Sequence, residues 1–274
     1  MNEKILYISD LDGTLLRSDE RISEYTAKVV NEFVLQGGYF SFATARSANT
    51  ALKVTKSFNA RFPIIVYNGT FITDPYSDEI LSSNYFTDDE VDYLSKKMFE
   101  HNVCPMVYAY INGEQKFSLI EECINNDTKI FLNSRANDGR MRKAFEYDEL
   151  YSGNVFYFTC IGTKKELDSL SKFFRLDARF NCVYSTDIYS GAQWLEILPL
   201  EATKSNAALH LKEILGCDKI ISFGDNVNDL SLFGISDECY AVENAVLELK
   251  AVATAVIESN DNDGVAKWLM QLMK

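Results

Sequence analysis

The feature that most constrains this 274-residue chain is a pair of short apolar segments, each ending abruptly in an acidic turn. Residues 5–9 run straight into Asp10-Leu11-Asp12-Gly13-Thr14, and residues 219–223 run into Gly224-Asp225-Asn226-Val227-Asn228-Asp229. A short apolar run bounded by turn residues reads as a buried strand. Near each of them, strand and helix patterns alternate over stretches too long for hairpins, which predicts a parallel sheet of the α/β class. In open sheets of this kind, ligands bind beyond the C-terminal ends of the strands. Both acidic turns would lie there.

The rest of the chain divides by rhythm. After the first acidic turn come a helix over residues 23–36 ended by Gly37-Gly38, a strand over 39–43, Thr44-Ala45-Arg46-Ser47 opening a helix over 48–57, and a strand over 63–67 ending at Asn68-Gly69. The pattern then changes. Residues 71–73 and 79–81 read as a hairpin, and Thr87-Asp88-Asp89-Glu90 is a capping box opening a helix to about 101. Residues 106–111 and 115–119 flank Asn112-Gly113, a strong hairpin signal. Helical pieces with polar breaks fit residues 120–150. A strand over 155–161, a capped helix over 163–174 and a strand over 180–185 complete an α+β unit inserted into the first. The α/β rhythm returns with a strand over 194–198, a helix over 203–215 ended at Gly216, the strand over 219–223 with a helix after its turn, short strands near 238–242 and 254–257, and a helix over 265–273.

Composition narrows the function. Forty acidic against 27 basic side chains give a formal net charge of −13, which argues against a nucleic-acid or anionic-membrane surface. Two histidines leave little room for a His-rich metal site. The six cysteines form no CxxC pair and sit in or beside apolar runs, as buried free thiols of a reducing compartment do. No signal-peptide pattern opens the chain and no apolar run reaches the roughly 20 residues of a membrane span, so a cytoplasmic protein is expected.

Asp10 and Asp12, two residues apart, repel when both are ionised and call for a cation or a proton between them. Alone, such a pair is equally an acidic turn capping the next element. Asp225, Asn228 and Asp229 supply hard oxygen donors that suit magnesium. Two such turns converging on one sheet edge concentrate negative charge, and a bound cation is the simplest compensation. Thr44 ends a strand before a helix start, where it could hold an anion or simply cap the helix. Lys204 stands in the first turn of a helix against the dipole, which suits either a phosphate or carboxylate partner or a solvated surface lysine.

Asp10-Leu11-Asp12-Gly13-Thr14-Leu15, Thr44, Lys204 and Gly224-Asp225-Asn226-Val227-Asn228-Asp229, in this order, resemble the four motifs of the haloacid dehalogenase-like (HAD) superfamily. The position of the insert, Asn68-Gly69 and Leu195-Glu196-Ile197 resemble the Cof-type, subclass IIB phosphatases. The resemblance implies a Rossmann-like core over 1–82 and 190–274 and an inserted α+β cap of the C2B type over 83–189. It implies a Mg2+-dependent phosphatase for a small phosphorylated metabolite, a sugar or cofactor phosphate, acting as a monomer or homodimer. A phosphomutase of the same superfamily and a phosphate-binding regulator with little turnover are the alternatives.

Residue by residue, the resemblance implies that Asp10 is the nucleophile and Asp12 the acid and base. Magnesium would be held by the Asp10 and Asp225 carboxylates and the Asp12 backbone carbonyl, with Asp229 orienting the site. Thr44 and Asn228 would bond phosphoryl oxygens and Lys204 would offset charge. Leu11, Ala45, Arg46, Asn68 and Gly69 would line the substrate side. The chain departs from the family in two places: Thr44-Ala45-Arg46 stands for the usual Thr-Gly-Arg, and Thr203-Lys204-Ser205 for Ser-Lys-Gly. Arg46 would stay available near the substrate. In the insert, Tyr108, Tyr110, Tyr157, Tyr184 and Tyr189 are candidates for a ligand pocket, although aromatic residues at strand spacing are more often core.

Overall fold

The computed structural model describes residues 3–59, 62–135, 137–186 and 191–273. The chain divides into two compact units, Met1–Ser83 with Ala202–Lys274, and Asn84–Glu201.

In the first unit, β1 (Ile5–Ser9), β2 (Tyr39–Phe42), β3 (Ile64–Val66), β4 (Phe71–Thr73) and β5 (Ile80–Ser83) come before the insert. The insert carries β6 (Met106–Ile111), β7 (Glu114–Ile120), β8 (Met141–Ala144), β9 (Asn154–Gly162), β10 (Phe180–Thr186) and β11 (Gln193–Pro199). After it come β12 (Lys219–Gly224), β13 (Glu238–Val242) and β14 (Ala255–Ile257). A five-stranded sheet of order β14-β13-β12-β1-β2 is parallel throughout. Its register sets Ser9 beside Phe223 on one side and Phe42 on the other. The chain therefore leaves β1, β2 and β12 side by side, with Asp10, Thr44 and Asp225 just beyond. Beneath them, Leu6, Ile8 and Ile220 pack with Ala207, Ala208 and Leu211 of the helix Lys204–Leu215 in one buried cluster. Gly216, at φ 61, ends that helix where a left-handed residue is needed.

The strand expected over residues 63–67 joins this sheet only through a single parallel bridge, Ala43 with Ile65. It otherwise forms a three-stranded antiparallel sheet with β4 and β5. The helix after Asp229 is one short turn, Leu230–Phe233.

The second unit is a six-stranded sheet of order β10-β11-β9-β6-β7-β8, antiparallel except between β7 and β8. The helices Asp88–Glu100 and Lys164–Arg175 begin with complete capping boxes at Thr87 and Thr163. Leu94 and Met98 of the first and Leu167, Leu170 and Phe174 of the second pack against Val107, Phe158, Cys160, Leu195 and Ile197 of the sheet. Two expectations change here. Residues 190–201 were assigned to the parallel-sheet unit, but β11 pairs with β9 and β10, so the chain returns to the first unit only after Glu201. Residues 141–144, expected among helical pieces, form the edge strand β8. All six cysteines are free thiols. Among the described residues, no helix is long and apolar enough to cross a membrane.

Candidate active site

The first acidic turn folds tightly onto the second. Asp10 is 5% exposed, and its backbone N–H donates to Phe223 O at 3.0 Å, continuing the ladder between β1 and β12 by one residue. The loop Leu11–Leu15 then closes on itself, with Leu16 N donating to Leu11 O at 2.8 Å. Gly13, at φ 78, is required for two reasons. L-side chains rarely enter this region, and a Cβ there would lie 2.4 Å from Asp225 Oδ2. Thr14 Oγ1 donates to Asp225 Oδ1 at 3.0 Å, and Asn244 Nδ2 donates to Gly13 O at 2.7 Å. The two motifs, more than 200 residues apart, are thereby clamped together.

Lys204 completes the centre. Its ammonium donates to Asp10 Oδ1 at 2.5 Å and to Asp229 Oδ1 at 2.7 Å, and its side chain is 1% exposed. The other oxygen of Asp229 accepts from the backbone N–H groups of Asp225 (3.0 Å) and Asn226 (3.2 Å). Asp229 thus joins Lys204 to the loop that carries Asp225. Of the two readings open for Lys204, the partner of carboxylates is the one realised. Its position depends on Gly69, at φ 101, where a Cβ would lie 2.1 Å from Thr203 O. The turn Tyr67–Gly69 seats the first turn of the Lys204 helix by this close backbone approach.

Carboxylate oxygens of Asp10, Asp225 and Asp229 all lie within 4.8 Å of one another, a grouping that could hold a metal ion. Burial, opposed by Lys204 and reinforced by the neighbouring carboxylates, pushes the Asp10 carboxyl well above its usual range. Burial and the nearby Asp229 push Asp225 up to about 7. Burial disfavours the Lys204 charge, yet Asp10 and Asp229 together hold its ammonium protonated beyond its usual range. One buried ammonium is shared by the carboxylates of Asp10 and Asp229, with Asp225 beside them.

The remaining sequence candidates fall around this centre. Thr44 is fully buried. Its hydroxyl accepts from Arg46 N at 3.1 Å and its carbonyl accepts from Asn68 N at 2.9 Å. Thr44 thus closes a local turn, while the helix Ala48–Val54 is capped by Ser47, so the helix-cap reading of Thr44 is not realised; its hydroxyl retains a proton to donate. Asn228 is half-buried in the turn Val227–Asp229, and Ala45 is exposed. Leu11 has no exposed surface, so any polar contact it makes with a substrate must come from its backbone.

Arg46 differs from expectation. Its Nε and Nη2 grip Asp12 Oδ2 and Oδ1 at 2.8 and 2.5 Å, and Nη2 also donates to Glu20 Oε2 at 2.6 Å. Burial disfavours its charge, but Asp12 and Glu20 hold the guanidinium protonated. Glu20 escaped the sequence reading because it lies in a polar turn with no motif around it. Of the candidate tyrosines in the second unit, Tyr108 and Tyr157 are buried and Tyr110 and Tyr184 half-buried. Tyr189 lies outside the described residues.

The family model of the haloacid dehalogenase-like hydrolases matches residues 7–269. A 5-amino-6-(5-phospho-D-ribitylamino)uracil phosphatase of Bacillus subtilis is 28% identical over 286 residues, covering 96% of each chain. A crystal structure of a Thermotoga maritima protein superposes with a TM-score of 0.78 at 25% identity, covering 98% of this chain and 97% of the other. A sugar phosphatase of HAD subclass IIB superposes with a TM-score of 0.76 at 19% identity, covering 98% and 99%. The chain belongs to the haloacid dehalogenase-like hydrolases, as an enzyme of their phosphatase kind.

Proposed function

We propose that this enzyme hydrolyses the phosphate monoester of a small metabolite through an aspartyl-phosphate on Asp10, with Mg2+ as cofactor. The observation that carries the reading is the Asp10 carboxylate, buried with one oxygen held by Lys204 at 2.5 Å. That contact fixes the carboxylate plane and leaves its second oxygen as the nucleophile. Lys204, itself anchored on Asp229, opposes the effect of burial on Asp10 and offsets charge arriving with the phosphoryl group.

The donor set fits the proposed metal. The carboxylates of Asp10, Asp225 and Asp229, grouped beside the Lys204 ammonium, offer hard oxygen donors, which match magnesium. Asp10, Asp225 and the Asp12 carbonyl would hold the ion, and Asp229 would keep the Asp225 loop in place. When bound, the ion would neutralise phosphoryl charge as it builds.

Asp10 attacks phosphorus while Asp12 protonates the departing ester oxygen. Asp12 then takes a proton from the water that cleaves the aspartyl-phosphate. The Thr44 hydroxyl and the Asn228 amide donate to phosphoryl oxygens, and the backbone of Leu11, Ala45 and Arg46 is close enough in sequence to join them. The substrate class rests on the relative named for a phosphorylated ribityl compound. A sugar or cofactor-precursor phosphate of similar size is the expected ligand, with the inserted unit as the cap that selects it.

The test is phosphate release from p-nitrophenyl phosphate and from a panel of phosphorylated metabolites. It should require Mg2+, vanish with chelator and be lost in Asp10→Asn. Full activity in that variant would remove the mechanism.

A further inference from the structure

Between the first acidic turn and the helix Glu24–Leu35, one residue holds an unfavourable backbone conformation. Glu20 has φ 59, a region that glycine and asparagine enter readily and glutamate does not. The turn is closed by Glu20 N donating to Arg17 O (2.9 Å) and Arg17 N donating to Arg21 O (3.0 Å). The conformation delivers the Glu20 side chain to Arg46, whose Nη2 it accepts at 2.6 Å. The same Nη2 donates to Asp12 Oδ1. One guanidinium nitrogen is thus shared by two carboxylates.

The geometry points to Glu20 as a positioning residue that takes over Arg46 when Asp12 turns to the substrate. This rests on the acid role proposed for Asp12. With Arg46 on both Asp12 oxygens, neither is free to carry a proton to an ester oxygen. Asp12 must release at least one of them. The Arg46 side chain is only 14% exposed, so releasing it without another counter-charge would leave a mostly buried cation unpaired, which is costly. Glu20 removes that cost because Nη2 already touches it, and Nε is then free to donate to a phosphoryl oxygen. In the step itself, Asp10 forms its bond to phosphorus and the bond from phosphorus to the ester oxygen breaks. The electron pair stays on that oxygen, which takes the Asp12 proton. An alkoxide needs that proton, whereas nitrophenolate leaves largely without it.

The experiment compares wild type, Glu20→Gln, Glu20→Asp and Glu20→Asn at saturating Mg2+. Two esters are used: p-nitrophenyl phosphate, and whichever of a set of sugar and polyol phosphates the wild type turns over fastest. Loss of Glu20 should cost about tenfold or more in kcat on the alkyl ester, less than about threefold on the aryl ester, and little in KM, because only the alkoxide depends on acid catalysis. Glu20→Asp should recover part of the loss. Glu20→Asn, which tolerates the left-handed turn, should not lower Tm. An equal fall on both esters, or no fall on the alkyl ester, overturns the inference. A wild type whose activity survives Asp10→Asn would instead count against the phosphatase reading.

Discussion

The two units bury charge in opposite ways. In the first, Asp10, Asp229 and Lys204 sit together beyond the strand ends, with three carboxylates around one ammonium. In the second, the buried carboxylate of Glu196 stands on a strand face and accepts from Tyr157 Oη at 2.7 Å. The centre at Asp10 is left short of positive charge. A protein keeps such a grouping where a ligand supplies the missing charge, and the reading proposed above places the chemistry there.

This contrast can be broken or sharpened by experiment. The largest expected effect is on turnover: Asp10→Asn should lower activity by roughly 10⁴-fold or more, as loss of a nucleophile does. The same variant should leave the metal-free protein as stable as wild type or more so, because one of three repelling acids is gone. Thermal unfolding in chelator tests this, and a large drop in Tm would break the contrast.

Next is Lys204→Met, which removes the ammonium shared by Asp10 and Asp229. It should abolish activity and cost about 3–5 kcal/mol in denaturant unfolding, the penalty for orphaning a buried charge.

A smaller effect is expected from pH. The Asp225 carboxyl is pushed to about 7 from an ordinary value of 3.8, so between these values the folded protein binds more protons than the unfolded chain. Metal-free stability from this group is therefore present at acid pH and lost as pH rises through about 7. Tm in chelator should fall between pH 5 and 8, and Mg2+ should reverse the fall. A flat or rising profile would mean that the negative centre is already compensated.

The smallest effect belongs to the second unit. Tyr157→Phe should cost about 1–2 kcal/mol by removing one donor from Glu196. The loss should not depend on Mg2+, in contrast to every change at Asp10.

Much of the first unit was legible in the sequence because its signals are local. An apolar run that ends in Asp10-Leu11-Asp12-Gly13-Thr14 declares both a buried strand and its polar exit, and Gly13 and Gly216 mark backbone that other residues would strain. The second unit yielded its helices through the capping boxes at Thr87 and Thr163 and its hairpin through Asn112-Gly113. Its edge strand β8 was missed because Met141–Ala144 is exposed or half-buried over three of its four residues, so no face is marked by hydrophobic alternation. β11 was found as a strand but placed in the wrong unit. Alternation at period two records that one face is buried and says nothing of which neighbour buries it.

Chemical identity and local geometry were determined by the sequence alone: the carboxylates, the lysine, the turns that expose them and the strands that precede them. The pairing was decided only in three dimensions. Lys204 meets Asp10 across 194 residues, and Asp225 meets Gly13 and Thr14 across more than 200. Arg46, expected to face a substrate, is held instead by Asp12 and Glu20. Side-chain charges act through space over a few ångströms, and the distances between them are set by how the sheet and helices pack, which no spacing along the chain records.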